Sequence, residues 1–366
     1  MNVTLFLCGD VMTGRGIDQI LPHPCGPAIH EPYLKSALDY VHLAEKANGP
    51  ISRPVTPAYV WGDALEELER AAPAARIVNL ETAVTRNSQW EPKGINYRMS
   101  PENAACLAAA RIDCCALANN HVLDWGAAGL AETLDTLRAA GVRTAGAGRT
   151  REEAEAPAEI MLAGGARILV FSFALPSSGV PSSWTAHTHR AGVALLDDLS
   201  ERTIERVCAR IGAARRPGDL VIASVHWGPN WGYEVSPDEQ RFARGLVSQA
   251  GADIFHGHSS HHAKGVEVFR GKLILYGCGD LINDYEGIGG HEAFRADLGL
   301  MYFPTLSAAS GALVGLQMAA MRMRRFRACR ATEADARWLC ATLDREGARF
   351  GTRAEPGADG RIELRA

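Results

Sequence analysis

The sequence predicts an α/β fold whose strands deliver polar side chains to one rim, and three observations carry that prediction. Short, nearly unbroken apolar runs of strand length recur along the chain, among them Val3–Leu7, Ile77–Leu80 and Leu220–Val225, as buried strands require. Between them lie stretches whose apolar residues return at helical spacing, as Leu130, Leu134 and Leu137 do before Gly141 stops the run. Finally, five of the strands end in a side chain able to bind a metal: Asp10, Glu81, Asn120 with His121, His226, and the group His256, His258 and His261.

Taken in order, Val3–Leu7 leads into Cys8-Gly9-Asp10-Val11-Met12, which puts a carboxylate at the strand's end. Residues 21–62 are rich in Pro, His and Gly and read as a long excursion with a helix near Tyr33–Lys46; loops of that length usually serve a function or lack order. Asp63 is predicted to cap a helix through Arg70, and Arg76–Glu81 is a second strand ending in a carboxylate. After a short strand at Ile95–Met99, Ser100 and Pro101 open a further helix.

The most informative stretch is Ala116–Gly126, Ala-Leu-Ala-Asn-Asn-His-Val-Leu-Asp-Trp-Gly, set between the apolar run 112–117 and the helix 127–140. A helix cap accounts for one Asn or for Asp124, but not for Asn119, Asn120 and His121 together. Crowded polar groups at such a place need partners, and the carboxyl edge of a sheet is where ligands bind in open α/β folds.

Farther on, Val142–Ala145 is a strand before Gly146-Ala147-Gly148, which reads as a tight turn. Arg151–Ala156 is a short helix, 160–162 with 167–173 a hairpin, and Ser200–Gly212 a helix. Leu220–Val225 ends in His226-Trp227-Gly228. The helix 237–250 stops at Gly251, and Asp253–Phe255 delivers His256-Gly257-His258-Ser259-Ser260-His261-His262. A hairpin over 266–276 ends at a further carboxylate, Asp280. Leu298–Phe303, Ala312–Met318 and Met321–Phe326 are predicted as antiparallel strands, Thr332–Glu346 as a helix and Arg361–Leu364 as a last strand.

The chain has 366 residues, 47% of them hydrophobic and 22% charged, an ordinary globular composition. No composition break interrupts the strands, so residues 1–330 are expected to form one domain, with 331–366 a helix and tail packed on it. A net charge of −4 supplies no bulk attraction to nucleic acid or anionic membrane. The N-terminus enters a strand with no basic lead, and no apolar run reaches the ~20 residues of a membrane span; no membrane anchor and a cytoplasmic location are therefore expected. None of the nine cysteines forms a Cys-x-x-Cys pair, which argues against a thiolate zinc site and for reduced, buried thiols. A homo-oligomer is compatible with all of this.

Carboxylates, an amide and imidazoles on separate strand ends are what a preformed divalent site needs, and oxygen with nitrogen donors suits Mn²⁺, Fe²⁺ or Zn²⁺. Such an ion activates water and polarises a phosphoryl or carbonyl oxygen, and His121 stands where it can protonate a leaving group. Arg15, Arg98 and Lys264 lie beside the motif segments and could hold an anionic substrate, although surface salt bridges explain each equally well. Trp227 and Trp231 are candidate pocket walls, with core packing the alternative. The basic run Met321–Arg327 alternates partly at period two, as a half-buried strand with a solvated face does; a track for an anionic polymer is the sharper reading.

Gly-Asp-Val-Met (9–12), Asn-Leu-Glu (79–81), Asn-Asn-His-x-x-Asp-x-Gly (119–126), His-Trp-Gly (226–228) and Gly-His-x-x-His (257–261) resemble the bacterial capsule-synthesis family of CapA type, the poly-γ-glutamate biosynthesis group within the calcineurin-like metallophosphoesterases. The resemblance runs from residue 3 to about residue 330. It implies a four-layer α-β-β-α sandwich of two mixed sheets. It also implies one or two divalent metal ions held by Asp10, Glu81, Asn120, His226, His258 and His261, with His121 as general acid beside Asp124. Two departures stand out: Met12 replaces the superfamily's second His, and Glu81 replaces an Asp. Both weaken the first metal site, leaving open a mononuclear centre or one completed by His23, His30 or His256; His262 has no assigned role. The expected activity is a metal-dependent hydrolase acting on a phosphate ester or on a γ-glutamyl or other amide bond of a small or peptide-like anionic substrate. A non-hydrolytic accessory protein and a bond-forming enzyme are the alternatives.

Overall fold

A computed structural model describes residues 2–357 and 359–366. The strands in chain order are β1 (Asn2–Val11), β2 (Ala75–Leu80), β3 (Cys114–Ala116), β4 (Arg143–Ala145), β5 (Ala158–Met161), β6 (Arg167–Ala174), β7 (Leu220–His226), β8 (Ile254–His258), β9 (Val266–Phe269), β10 (Lys272–Leu275), β11 (Asp280–Ile282), β12 (Leu298–Ser307), β13 (Leu313–Met323), β14 (Ala328–Arg330), β15 (Arg353–Pro356) and β16 (Ile362–Arg365). One sheet runs β15-β16-β13-β12-β1-β2-β3-β4, with β11 beside β1 and β14 beside β13; the other runs β9-β10-β8-β7-β6-β5. Both are mixed: β1 to β4 are parallel neighbours while β12 and β13 are antiparallel, and β6, β7, β8 and β10 are parallel with antiparallel strands at each edge.

The apolar runs are unbroken because each central strand is covered on both faces. Leu5 and Leu7 of β1 face Ile168 and Val170 of β6 in a core between the sheets. Their neighbours Phe6 and Cys8 pack outward with Val78, Leu130 and Leu134. On the other outer face, Leu169, Phe171 and Val221 meet Ile204 and Val207 of α1 (Glu201–Ala214) and Phe242 and Leu246 of α2 (Pro237–Ser248). The chain is thus an α/β sandwich of two mixed sheets with helices on both outer sides, the architecture that the motif resemblance implies.

Three expectations fail, the first being the Ser100 cap: its side chain does not cap the helix that Pro101 opens but donates to the His23 carbonyl. The strands predicted at 312–318 and 321–326 are one strand, β13, because no turn residue interrupts Met318–Met321; Arg325 and Phe326 instead form the turn into β14. Asp63 makes no side-chain cap on the helix Ala64–Ala71; its carboxylate accepts from Arg330 N (2.9 Å) and Arg327 Nη2 (2.8 Å).

The C-terminal tail adds to the first sheet through β16 on β13. Arg361, buried, grips Glu67 Oε2 through Nε (3.2 Å) and Nη2 (2.9 Å). Glu67 keeps Arg330 at 2.9 Å when Arg361 is removed, so what is lost is two charge-assisted hydrogen bonds rather than the neutrality of the carboxylate. Arg361→Ala is therefore expected to lower unfolding stability by about 2 kcal/mol, read by denaturant titration; a change under about 0.5 kcal/mol would show that the pair is dispensable.

Candidate functional site

Register places the polar side chains side by side at the strand ends. Asp10 of β1 lies opposite Asp280 of β11 and Asn79 of β2, and His226 of β7 lies opposite His258 of β8. Gly9 permits the first arrangement: a Cβ there would stand 1.9 Å from the Gly279 carbonyl oxygen, so only glycine lets β11 run against β1. Ser259, just past His258, holds φ at 99° and aims its N–H at Asp10 Oδ2 (3.3 Å). A non-glycine residue in that conformation persists only where its surroundings impose it.

Two groups of ligating atoms result, and they share Asp10. Asp10, His226 and His258 form one; Asp10, His261 and Asp280 form the other. Every member is buried. His226 and His258 point their Nδ1 atoms at each other across 2.8 Å. The Asn120 amide oxygen lies 3.0 Å from His226 Nε2 and can only accept, so Nε2 carries the proton and Nδ1 is a lone pair. His261 Nδ1 meets Asp280 Oδ1 at 2.9 Å, and Asn283 donates to Asp280 Oδ2 at 2.9 Å.

The electrostatics suit a cation. Burial, reinforced by the charge of Asp280, pushes Asp10 up to about 7. Burial and then the charges of Asp10 and Asp280 raise Glu81 well above the usual carboxylate range. Burial holds His226 and His258 far below theirs, as neutral rings. For His261 burial acts downward, but Asp280 and Asp10 outweigh it and raise the ring. Glu81 Oε2 is buried without a hydrogen-bond partner among the described residues. Crowded carboxylates, an orphaned carboxylate oxygen and converging imidazole nitrogens are what a divalent ion would satisfy.

His121 stands beside this centre. Its Nε2 is 3.6 Å from Glu81 Oε1, and its Nδ1 is 2.6 Å from Asp124 Oδ2. Asp124 also accepts from Tyr97 N at 2.6 Å and pairs with Lys93 at 2.7 Å. Burial pulls His121 down to about 4 against the upward pull of Asp124. Asn119, by contrast, is spent on the turn: its Oδ1 accepts from the N–H groups of His121 and Val122, both at 3.1 Å.

A cavity of about 490 Å³ opens onto His261 and is lined by Arg15, Tyr97, Trp231 and Tyr285 among others. Of the predicted substrate contacts, Arg15 reaches it, yet its guanidinium is occupied by Asp284 (2.5 and 3.0 Å), Glu31 (2.9 Å) and Tyr40 (2.9 Å). The other three lie elsewhere. Trp227 is in the core against Phe255 and Phe242, its N–H on the Tyr276 carbonyl at 3.0 Å; it is Trp231 that lines the cavity. Lys264 is buried and bonds the Glu234 carbonyl (3.2 Å), and burial lowers its pKa from the ordinary lysine value. Arg98 stacks its guanidinium 3.9 Å from the Trp125 ring.

Of the alternative ligands, His256 is fixed by the Cys8 carbonyl (2.8 Å) and Ser224 (3.1 Å). His30 stacks on Trp90 with ring centroids 4.1 Å apart, and His23 belongs to neither ligand group. His262 accepts from Gly232 N at 3.1 Å. Met12, in place of the expected His, lies 3.7 Å from the Tyr285 hydroxyl. Asp280 is the ligand candidate that sequence reasoning left out of the set. All nine cysteines are free.

Fold and site together define an α/β sandwich protein with a candidate cation centre of carboxylates and imidazoles at its strand ends. More particularly, the chain belongs to the bacterial capsule synthesis protein family (PGA_cap), whose model matches residues 4–285. It is 46% identical over 364 residues to a probable polyglutamine synthesis accessory protein of Mycobacterium tuberculosis, covering 99% of this chain and 96% of that protein. It is also similar to the PGA biosynthesis protein CapA of Bacillus subtilis, 27% identical over 56% of this chain and 52% of that protein, and to the capsule biosynthesis protein CapA of Bacillus anthracis, 24% identical over 77% and 60%. Among the described residues no helix is long and apolar enough to cross a membrane.

Proposed function

We propose that the protein is a divalent-metal-dependent hydrolase that cleaves a phosphate ester or a γ-glutamyl or other amide bond in an anionic, peptide-like substrate. The observation that carries this reading is the pair of buried ligand groups sharing Asp10, with His121 oriented beside them by Asp124 at 2.6 Å. Asp10, His226 and His258 would hold one ion, and Asp10, His261 and Asp280 a second, with Glu81 and Asn120 adjacent; Mn²⁺, Fe²⁺ or Zn²⁺ suits these donors. The ion supplies a water of lowered pKa and a Lewis acid for the scissile group. His121 gives the leaving group a proton from Nε2 while Asp124 holds Nδ1. Tyr97, packed edge-on at 4.4 Å between ring centroids, fixes the imidazole plane.

Protein purified without chelator is expected to carry one or two divalent ions by elemental analysis. It is also expected to hydrolyse an aryl phosphate or a γ-glutamyl anilide with added Mn²⁺. Absence of bound metal, or turnover of neither substrate with any of the three metals, would sink the proposal. A second reading, an accessory protein that binds without cleaving, is favoured by one observation: Met12 removes a nitrogen ligand from the first motif. It fits the names of the relatives, and tight binding of an anionic oligopeptide without turnover would select it.

A further inference from the structure

The far end of the cavity carries a charge arrangement that the catalytic reading does not use. A groove of about 380 Å³ is lined by Arg322, Arg324, Arg325 and Arg330, together with Asn48. Asn48 and Arg322 also line the cavity that reaches His261, so groove and cavity adjoin.

Inside the cavity the cations are already neutralised. Arg15 is taken by Asp284 and Glu31, and Arg295 and Arg322 share Asp297 and Asp335. Around the groove, Arg327 pairs with Asp63, and Arg330 with Glu66 and Glu67. Arg324 and Arg325 are exposed and have no carboxylate partner among the described residues.

Their presentation is built rather than incidental. Arg325 and Phe326 are consecutive non-glycine residues at φ 55°, a conformation that persists only under constraint. Glu286 supplies the constraint: its carboxylate accepts both N–H groups at 2.6 Å, and Asn48 Nδ2 at 2.6 Å. Tyr59 donates to the Arg325 carbonyl at 2.9 Å, and the Phe326 ring is fully buried. A carboxylate that lines the cavity therefore fixes the turn that holds out two unpaired guanidiniums.

We infer that Arg324 and Arg325 form a second anion subsite, which binds a carboxylate farther along the same substrate. The ligand is then a linear oligo-carboxylate whose uncharged backbone crosses the cavity over Trp231 and Tyr285. This rests on reading the buried centre as the reacting site. Guanidinium forks match carboxylates in charge and shape. Two free arginines among acidic neighbours, on a chain of net charge −4, are too few for a nucleic-acid backbone, whose binding needs many phosphate contacts.

The test is calorimetric titration of the full-length protein with a γ-linked glutamate pentamer, the equal-length glutamine peptide, free glutamate and a short single-stranded oligonucleotide. The wild type is expected to prefer the glutamate pentamer over the glutamine peptide by about tenfold or more. R324Q/R325Q should lose most of that preference, and R324K/R325K should restore part of it, with melting curves confirming that each variant folds. A preference absent from the wild type, or retained in R324Q/R325Q, overturns the subsite, as does tighter binding of the oligonucleotide. Binding is read without turnover, so failure to hydrolyse both the aryl phosphate and the γ-glutamyl anilide overturns the catalytic reading and leaves this result to stand or fall separately.

Discussion

Asp10→Asn is expected to weaken divalent-metal binding by about a hundredfold or more, a larger loss than substitution of any other ligand candidate, because Asp10 is the member common to both ligand groups. In the wild type, metal at a hundred times its Kd should raise unfolding free energy by about 2.7 kcal/mol; in the variant that increment should fall to about 0.4 kcal/mol or less at the same metal concentration. Metal-free protein gives a second readout. Asp10 sits at about 7 in the fold against an ordinary value of 3.8, so between those values the folded state keeps a proton that the unfolded chain has released. Folding then weakens as pH rises through that window, and a neutral amide escapes the penalty. The melting temperature of metal-free Asp10→Asn, relative to wild type, is therefore expected to climb from about pH 4 to about pH 7. A relative melting temperature that stays flat or falls, with metal stabilisation unchanged, would remove Asp10 from the centre.

The parts of this site that were legible in the sequence are those set by local chain order. Asp10, His226 and His258 are read directly because each ends an apolar run, and a strand end fixes which rim a residue reaches. Asp280 was visible as a carboxylate after a strand, but it begins β11 rather than ending β10. Only pairing across some 270 residues sets it beside Asp10, and no local pattern encodes that register. Trp227 was misplaced for the opposite reason: neighbours on an extended segment face opposite sides, so a His226 that looks into the site sends the next side chain into the core. Arg15 shows a further limit. Its position beside a motif leaves a substrate contact and a salt bridge equally open, and the partner that decides for the salt bridge, Asp284, lies 269 residues away. Unbroken apolar strands make an α/β core covered on both faces readable, whereas the two-sheet sandwich is implied only by the motif resemblance; the merged strand β13 escapes because its alternation weakens at Met318–Met321 without any turn residue.

His121→Ala is expected to lower kcat by about 10²- to 10⁴-fold, the range of a lost general acid, while metal content stays at the wild-type level because His121 belongs to neither ligand group. Burial holds the free ring neutral near pH 7, with its pKa down at about 4. The ring must therefore gain its proton together with the substrate, when an incoming anion and Asp124 at 2.6 Å both favour the imidazolium form. That dependence makes the leaving group diagnostic. An aryl phosphate, whose phenolate departs with little help, should lose less in His121→Ala than an alkyl phosphate or an amide, whose leaving group needs the proton. Asp124→Asn should show the same ordering with a smaller loss, since an amide can still accept from Nδ1–H but cannot stabilise the charged ring. Equal losses for good and poor leaving groups would assign His121 to positioning rather than proton transfer, and unchanged rates for both would remove it from the reaction.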